Sequence, residues 1–447
     1  MSFYRTVFKN LLAWKHSANR KPLVIRGARQ VGKTTAIKEF GKQFETFIYL
    51  NLELAADRDI FESDLPLGSL LQRIYLEKKT RKQGTTLIFI DEIQNSPNAV
   101  ERMRYFFEEF PEIYVISAGS LLEIMMDTHK ISFPVGRVEY QYLFPLSFEE
   151  FLNAIEEKEA LSLLDTVPLP VWAENRLYEL FHLYTLIGGM PEVVARYVQT
   201  RDIASLATVY QSLLTAYKDD VSKYAKTSME VTVIRHIIET AAYEAGERIT
   251  FEHFGNSAFK SREVGNALRV LERAMLLYLR YPSTNFLPPI LPDLKRKPRL
   301  QFVDTGLLNF GAGIQAQYFT VDDLDSLYHG KLAEHIVAQE LMAMETTSIK
   351  KPLFWVRELK QSNAEVDFLY PFQDLVVPVE VKSGKTGTLR SLHSFIDTSG
   401  SSLAVRLYRG SYAITKTTTP KGTPYTLIQL PYYLCSKIGA YLALYLR

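Results

Sequence analysis

Short runs of consecutive apolar residues recur along the N-terminal third of the chain, and stretches with a helical pattern lie between them. The runs are residues 23–25, 87–90 and 113–116, and residues 47–53, which include Asn51 and Glu53, are predicted as a further strand. A run that is apolar at successive positions is typical of a strand buried on both faces. Strands that alternate with helices predict an α/β domain, in which helices cover both faces of a parallel sheet.

The pattern changes twice after this region. Residues 147–226 are rich in Leu, Ala, Glu and Tyr and have helical spacing, so we expect a helical segment there. Residues 229–302 read as three helices followed by two strands that flank a Pro-rich loop, and apolar positions in residues 264–275 form the stripe of the third helix. Three helices and a hairpin resemble a winged helix.

A hairpin is predicted near the C-terminal end, because two strand-like segments, residues 364–370 and 375–384, are joined by a very short loop. Glu380 and Lys382 are two positions apart and therefore lie on one face of their strand. Asp367, on the partner strand, can lie on the same face. The hairpin thus places three charged side chains within reach of one another.

The composition is that of a soluble protein with more than one domain. The chain has 447 residues, with 47% apolar and 23% charged, and its length predicts about two to four domains. The formal net charge of +2 gives no global field that would attract nucleic acid or membrane. Cys435 is the single cysteine, which excludes an internal disulfide framework and fits a reducing cytoplasm. Because no run approaches the ~20 apolar residues of a membrane span, we expect no membrane partner.

The first strand leads into a phosphate-binding loop. LVIRGARQVGKTTAIKEF, residues 23–40, satisfies G-x-x-x-x-G-K-[ST] between a strand and a helix, which is the context that this motif requires. Backbone N–H groups of the loop and the positive end of the helix would face phosphate oxygens, with Lys33 on the β- and γ-phosphates and Thr34 on Mg²⁺. The predicted nucleotide-binding residues are Gly27, Ala28, Arg29, Gln30, Val31, Gly32, Lys33, Thr34 and Thr35.

A second acidic motif follows the run at residues 87–90. Asp91 and Glu92 come at the carboxyl end of that strand, where α/β sheets bind ligands. Asp91 can hold Mg²⁺ through water, and Glu92 is placed to orient and activate the water that attacks the γ-phosphate. Together with the loop, this motif predicts nucleotide hydrolysis with ATP and Mg²⁺.

Two serines follow the next strand. Ser117 and Ser120 would lie near the acidic strand end and could sense the γ-phosphate. The alternative is that a serine here satisfies the N-terminus of a nearby helix. The sequence leaves both interpretations open.

These motifs in combination resemble the AAA-type ATPases. More narrowly, the chain resembles a bacterial and archaeal family that joins an AAA-type core to a C-terminal region of poorly assigned function. The similarity runs from about residue 23 to about residue 384 and covers most of the chain. The matching segments are RGARQVGKTT, IFIDEIQ, SAGSLL, VGRVEYQYLFPLSFEEF, IGGMPEVV, FVDTGL, GKLAEHIVAQEL, EVDFLY and VEVKSG.

The resemblance implies two further residues at the nucleotide. Arg137 corresponds to an arginine that reaches the γ-phosphate of a neighbouring subunit in AAA-type assemblies, which implies a homo-oligomer. The alternative is a surface arginine paired with Glu139 or Glu149. Pro191, in GGMP, resembles a lid element that touches the nucleotide, but it can equally mark the first turn of a helix.

A local set of basic residues lies in the predicted winged helix. The functional interpretation is contact with a DNA backbone, and the alternative is a protein–protein module, since Glu263 and Glu272 dilute the charge. The set is Arg262, Arg269, Arg273, Lys295, Arg296, Lys297 and Arg299.

The C-terminal charges resemble those of the restriction-endonuclease-like superfamily, in which a helix glutamate, a strand aspartate and Glu-x-Lys follow one another. The resemblance implies that Glu334, Asp367 and Glu380 are metal ligands and that Lys382 positions the attacking water. The alternative is an ordinary solvated strand, on which a Glu-x-Lys pair contributes little. Fold alone does not establish cleavage.

We therefore expect an AAA-type P-loop core (residues 1–146), a helical lid (147–226), a winged-helix domain (227–302) and a restriction-endonuclease-like domain (303–447). The expected function is Mg²⁺-dependent ATP hydrolysis that controls a nuclease-like, DNA-interacting domain. The alternative is an ATP-driven switch or scaffold whose C-terminal domain is structural or binds nucleic acid or protein without cleavage.

Overall fold

A computed structural model describes residues 3–119, 122, 136–315, 331–359, 362–382 and 388–446. Ser120, one of the predicted phosphate sensors, lies outside the described residues. No helix in the described part of the chain is long and apolar enough to cross a membrane.

The N-terminal part contains a five-stranded sheet whose neighbouring strands are all parallel, in the order β2-β3-β4-β1-β5. Its strands are β1 (Leu23–Arg26), β2 (Thr46–Asn51), β3 (Thr86–Asp91), β4 (Tyr114–Ala118) and β5 (Glu139–Tyr142). The four predicted strands are thereby confirmed. The helices are α1 (Val7–His16), α2 (Lys33–Gly41), α3 (Ala55–Phe61), α4 (Leu67–Glu77) and α5 (Pro97–Glu109), with a 3-10 turn at Ile93–Asn95.

A helical segment follows the sheet, as predicted. It consists of α6 (Phe148–Ala154), α7 (Lys158–Leu164), α8 (Glu174–Ile187), α9 (Pro191–Thr200) and α10 (Ala207–Tyr224), with 3-10 turns at Val171–Ala173 and Ala204–Leu206. α6 begins at a capping box, in which the Ser147 hydroxyl accepts from the Glu150 N–H while the Glu150 carboxylate accepts from the Ser147 N–H.

The middle of the chain has the three helical elements and the hairpin that the sequence predicts. They are α11 (Ser228–Glu244), a 3-10 turn (Phe254–Asn256), α12 (Ser261–Arg273), β6 (Leu277–Arg280) and β8 (Arg299–Phe302). β6 and β8 pair antiparallel, with Arg280 opposite Arg299. Between them, β7 (Pro282–Ser283) pairs with a strand of the C-terminal part, and α13 (Thr305–Gly311) follows the hairpin.

The C-terminal part combines a mixed sheet with flanking helices. The sheet order is β11-β12-β13-β15-β14, and the predicted hairpin is confirmed by the antiparallel pairing of β11 and β12. The elements are α14 (Lys331–Ala343), β9 (Phe354–Leu359), β10 (Ser362–Val366), β11 (Phe368–Phe372), β12 (Leu375–Lys382), α15 (Arg390–Ser399), β13 (Leu403–Tyr408), β14 (Ala413–Thr418), β15 (Pro424–Pro431), a 3-10 turn (Tyr432–Lys437) and α16 (Ile438–Tyr445).

One apolar core joins these parts. Leu11 of α1, Phe181 of α8, Ile234 of α11, Ile336 of α14 and Tyr441 of α16 are all buried members of the same packing cluster. Such continuous packing resists independent movement of the parts.

Candidate functional site

The loop between β1 and α2 has the backbone that a phosphate cradle needs. Gly32 adopts a left-handed conformation with φ 91°, which side-chain-bearing residues rarely tolerate. At Gly27, a Cβ atom would lie 2.4 Å from the carbonyl oxygen of Leu143, so only glycine fits beside β5. Both glycines of the motif are thus required by the local geometry.

Lys33 begins α2, and its side chain is buried within the loop. Its Nζ donates to the carbonyl oxygens of Gly27 and Ala28, each at 2.9 Å. Burial lowers the pKa of Lys33 to about 8, although Glu92 and Asp91 partly counter this effect. A buried cation that contacts only neutral carbonyl groups would be stabilised by a nearby anion.

Thr34 and Asp91 meet, as the two motifs predict. The Thr34 hydroxyl donates to Asp91 Oδ2 at 2.7 Å, and the Tyr49 hydroxyl donates to the same oxygen at 3.2 Å. Asp91 ends β3 and is buried, and this burial raises its pKa. The sequence did not indicate Tyr49, because its position in β2 becomes relevant only when β2 lies beside β3.

Glu92 lies at a sharp turn after β3, with φ 52°. The amide of Gln94 donates to Glu92 Oε2 at 2.5 Å. A Cβ atom on Gly119 would lie 2.2 Å from Gln94 Oε1, so the end of β4 leaves room for the amide only because residue 119 is glycine. Gln94 therefore contacts the candidate base, a contact that sequence reasoning missed although the residue belongs to the IFIDEIQ segment.

Two buried oxygens beside these residues have no hydrogen-bond partner among the described residues. They are Ser117 Oγ on β4 and Gln94 Oε1. A buried polar atom without a partner is costly and commonly marks a place for a ligand or water. With Thr34 and Asp91 in contact nearby, these residues fit a bound nucleotide and its Mg²⁺.

Arg5, another residue that sequence reasoning missed, holds the loop from outside. Its Nη1 donates to the carbonyl oxygen of Val31 at 2.8 Å, and its Nε donates to Glu150 Oε2 at 2.9 Å. The opposite oxygen of Glu150 accepts from the N–H of Thr6 at 2.6 Å. The buried ion pair therefore fixes the loop to the start of the helical segment.

The other predicted loop residues divide into buried and exposed ones. Ala28 and Val31 are buried. Gln30 and Thr35 are exposed, and Gln30 has a left-handed backbone with a φ of 64°. Arg29 forms an ion pair with Asp220 of α10.

A second contact joins α10 to the loop. The hydroxyl of Tyr217 donates to the carbonyl oxygen of Arg29 at 2.9 Å. The helical segment thus lies over the phosphate loop.

Pro191 marks a helix start, which is one of its two interpretations, while contact with a nucleotide stays a prediction. It occupies the first turn of α9, and its Cγ lies 3.6 Å from the position that a Cβ of Gly32 would take. The preceding Gly189 is held by Asp304, whose Oδ2 accepts from the Gly189 N–H at 2.6 Å. Burial raises the pKa of Asp304 to about 6.

Arg137 is half-exposed and forms an ion pair with Glu108 at 2.8 Å. The alternative of a surface arginine in an ion pair fits this contact, but the partner is Glu108 and not Glu139 or Glu149. Arg137 precedes β5, which runs parallel to β1, and therefore lies at the sheet edge opposite the phosphate loop of its own chain.

The C-terminal acids converge as predicted. We call Glu334, Asp367 and Glu380 the acid cluster. Asp367 Oδ2 accepts from the N–H of Val381 at 2.9 Å, and Glu380 Oε1 accepts from Lys382 Nζ at 2.6 Å. Burial, reinforced by the charge of Asp367, raises the pKa of Glu334 to about 7 and that of Glu380 to about 8.

Arg299 lies in the middle of the acid cluster. The prediction that Arg299 belongs to a surface set of cations is wrong, because it lies in β8, is buried and forms an ion pair of 2.6 Å with Glu334. Within the described ranges, no three His, Cys, Asp or Glu side chains are arranged to hold a metal ion. The acid cluster in this arrangement therefore does not fit a metal, and the metal roles of Asp367 and Glu380 stay predictions.

Three parts of the chain match models of known protein families. Residues 19–152 match an AAA domain, residues 178–318 match a domain of unknown function (DUF8612), and residues 329–432 match another (DUF4143). The N-terminal part of the chain is an AAA-type P-loop domain. The second match crosses the predicted boundary between the lid and the winged helix.

No curated protein matches the chain. The Walker-type ATPase PABY2304 of Pyrococcus abyssi is 15% identical, with a TM-score of 0.46 over 69% of this chain and 96% of that one. PCH-2 of C. elegans is 12% identical, with a TM-score of 0.30 over 45% of this chain and 64% of that one.

Proposed function

We propose that the AAA-type domain binds and hydrolyses ATP with Mg²⁺. The observation that carries this proposal is the contact of Thr34 with Asp91, which brings the phosphate loop and the acidic strand end together at 2.7 Å. Glu92 follows Asp91 directly and is half-buried. In this proposal Thr34 and Asp91 hold the metal and Glu92 is the base, and their position at the carboxyl ends of parallel strands supports these roles.

Each residue has a distinct role in this proposal. The metal would supply charge neutralisation for the phosphates, held by Thr34 and Asp91. Lys33 exchanges its two carbonyl partners for phosphate oxygens, and loop N–H groups bind the remaining oxygens. Glu92, oriented by Gln94, accepts the proton of the attacking water.

ATP turnover by the purified chain tests the proposal. We expect phosphate release that requires Mg²⁺ and is lost with EDTA, and we expect Asp91→Asn to raise the Mg²⁺ concentration needed for half-maximal turnover. Asp64→Asn, at an exposed aspartate, is the matched control. Absence of ATP binding by the folded wild-type protein would contradict the proposal.

We further propose that Arg137 acts on the nucleotide of a neighbouring subunit. Its place at the sheet edge opposite its own phosphate loop supports action between subunits rather than within one. Mixing Arg137→Ala with Lys33→Ala should restore part of the turnover that each variant lacks. The size of the wild-type protein with and without a non-hydrolysable ATP analogue tests the same proposal, and a monomer under both conditions would contradict it.

A second candidate function is nucleic-acid processing by the C-terminal part. Asp367, at the bend between β10 and β11, accepts a hydrogen bond from the N–H of Val381, between Glu380 and Lys382 on β12, and this closeness supports a nuclease-like site. Plasmid and single-stranded DNA incubated with Mg²⁺ or Mn²⁺, with and without ATP, test cleavage against Asp367→Ala. Intact DNA binding without cleavage would favour the scaffold alternative.

Contact with DNA is proposed for α12 and the β6–β8 loop. Exposed cations on these elements are Arg262, Arg269, Arg273, Lys295 and Lys297. Neutralising them should weaken DNA binding uniformly across sequences and reduce its dependence on salt. Unchanged binding in a variant with all five replaced by Gln would favour a protein–protein role for this part.

A further inference from the structure

The acid cluster already contains a cation that belongs to the chain itself. Arg299 Nη1 lies 2.6 Å from Glu334 Oε2, and its Nη2 lies 2.5 Å from Glu365 Oε1 and 3.5 Å from Asp367 Oδ1. Only 10% of the Arg299 side chain is exposed. A planar guanidinium with several N–H donors can serve several carboxylates at once.

We propose that Arg299 is an internal counter-ion that takes the place of a divalent metal and closes the acid cluster to metal binding. The proposal deepens the nuclease-like candidate function and rests on it for the location of the site. It concerns the binding of a divalent cation, so it can succeed or fail independently of DNA cleavage and ATP turnover.

The charges around the cluster support this proposal. Arg280 lies beside it, with its Nη2 donating to the carbonyl oxygen of Asp367 at 3.2 Å, and Lys382 neutralises Glu380. Arg299 and these two cations nearly balance the surrounding carboxyls. A divalent ion added to this set would meet repulsion from Arg299 at close range in a buried place.

One carboxylate oxygen is left over. Glu380 Oε2 is buried and has no hydrogen-bond partner among the described residues, and the residue as a whole is 4% exposed. An unpaired buried acceptor is unfavourable and is suited to a cation that the chain does not supply. Removal of Arg299 would leave this oxygen, together with Glu334 and Asp367, available to another cation.

Direct measurement of Mn²⁺ binding tests the proposal. In nucleotide-free protein we expect Arg299→Gln to bind Mn²⁺ about tenfold or more tightly than the wild type, since a positive charge at close range is removed. The gain should vanish in Arg299→Gln/Asp367→Asn, which localises it to the acid cluster. Arg296→Gln, which removes a nearby arginine paired with Asp293, should show no gain.

Thermal unfolding with and without Mn²⁺ provides the second readout. Mn²⁺ should raise the melting temperature of Arg299→Gln more than that of the wild type, because binding to the folded state stabilises it. If Arg299→Gln folds only in Mn²⁺, that rescue supports the proposal as well. Arg299→Lys retains the charge and should stay closed to metal.

Two results would overturn the proposal. One is wild-type protein that binds Mn²⁺ as tightly as Arg299→Gln at a site abolished by Asp367→Asn. The other is Arg299→Gln, folded or unfolded, that neither binds Mn²⁺ nor is stabilised by it, in which case Arg299 serves only a structural ion-pair network.

Discussion

Asp304 accepts a hydrogen bond of 2.6 Å from the backbone N–H of Gly189, and so fixes the segment that carries Pro191 against the phosphate loop. The other carboxylate oxygen of Asp304 caps α13 by accepting from the Leu307 N–H at 3.0 Å. One buried side chain therefore joins the nucleotide site to the start of the C-terminal half. Asp304 belongs to the FVDTGL segment, so these two hydrogen bonds give that segment a structural role.

Asp304→Asn should weaken both the fold and nucleotide binding. An amide has one oxygen and cannot accept both bonds in the same way, so we expect a loss of about 1–3 kcal/mol in the free energy of unfolding. The KM for ATP should rise more than kcat falls, because Pro191 is displaced rather than the base. Urea unfolding and steady-state kinetics measure the two effects, and Asp64→Asn is the control.

Lys33→Ala should weaken ATP binding while leaving the fold intact. Hydrogen bonds to charged groups contribute about 1.5–3 kcal/mol, so the affinity for ATP should fall about 10- to 100-fold. Lys42→Ala, at an exposed lysine just after α2, should bind ATP normally. Equal affinity of the two variants would remove Lys33 from the phosphate site.

Glu92→Gln should bind ATP with unchanged affinity and hydrolyse it about 10²- to 10⁴-fold more slowly, since the general base is lost. Binding of a fluorescent ATP analogue and single-turnover phosphate release separate the two steps. The exposed Glu101→Gln provides the control. Near-normal turnover in Glu92→Gln would require another base.

Gln94→Leu tests whether the amide positions Glu92. Loss of one oriented hydrogen bond should lower kcat up to about tenfold with little change in KM. A residue with only a structural role would instead lower stability and ATP binding together. Gln94→Asn, which keeps the amide on a shorter side chain, should recover part of the lost kcat.

Glu340→Gln should change how stability depends on pH. Glu340 accepts from the Phe148 N–H and the Tyr184 hydroxyl, and burial raises its pKa from 4.5 to about 8. The folded state thus retains a proton that the unfolded state releases, so this contribution is complete below pH 4.5 and is lost as the pH rises towards 8.

The variant lacks this proton and should lose less stability than the wild type between about pH 5 and pH 8. The difference for one group is at most about 1.4 kcal/mol per pH unit. Urea unfolding across this range measures it, and the exposed Glu159→Gln should follow the wild type. Parallel curves for wild type and Glu340→Gln would show that Glu340 does not titrate in this way.

The contiguous motifs could be predicted from the sequence because each depends on residues that are close together along the chain. The spacing of Gly27, Gly32 and Lys33 determines a loop backbone, and a strand that ends in Asp-Glu places both acids at the ligand-binding edge of a parallel sheet. The period of two along a strand likewise put Glu380 and Lys382 on one face. The sequence therefore predicted that Thr34 meets Asp91 and that β11 pairs with β12.

Contacts between residues far apart along the chain are not indicated by any sequence motif. The sequence by itself determined the phosphate loop, the acidic strand end and the C-terminal hairpin, since each depends on backbone geometry within a few residues. Only the tertiary structure decided that Arg5 contacts the loop, that Asp304 holds Gly189 and that Arg299 lies in the acid cluster rather than on the surface. The physical reason is burial: a buried charge is unfavourable without a partner, and the packing of helices and strands determines which partner lies within reach.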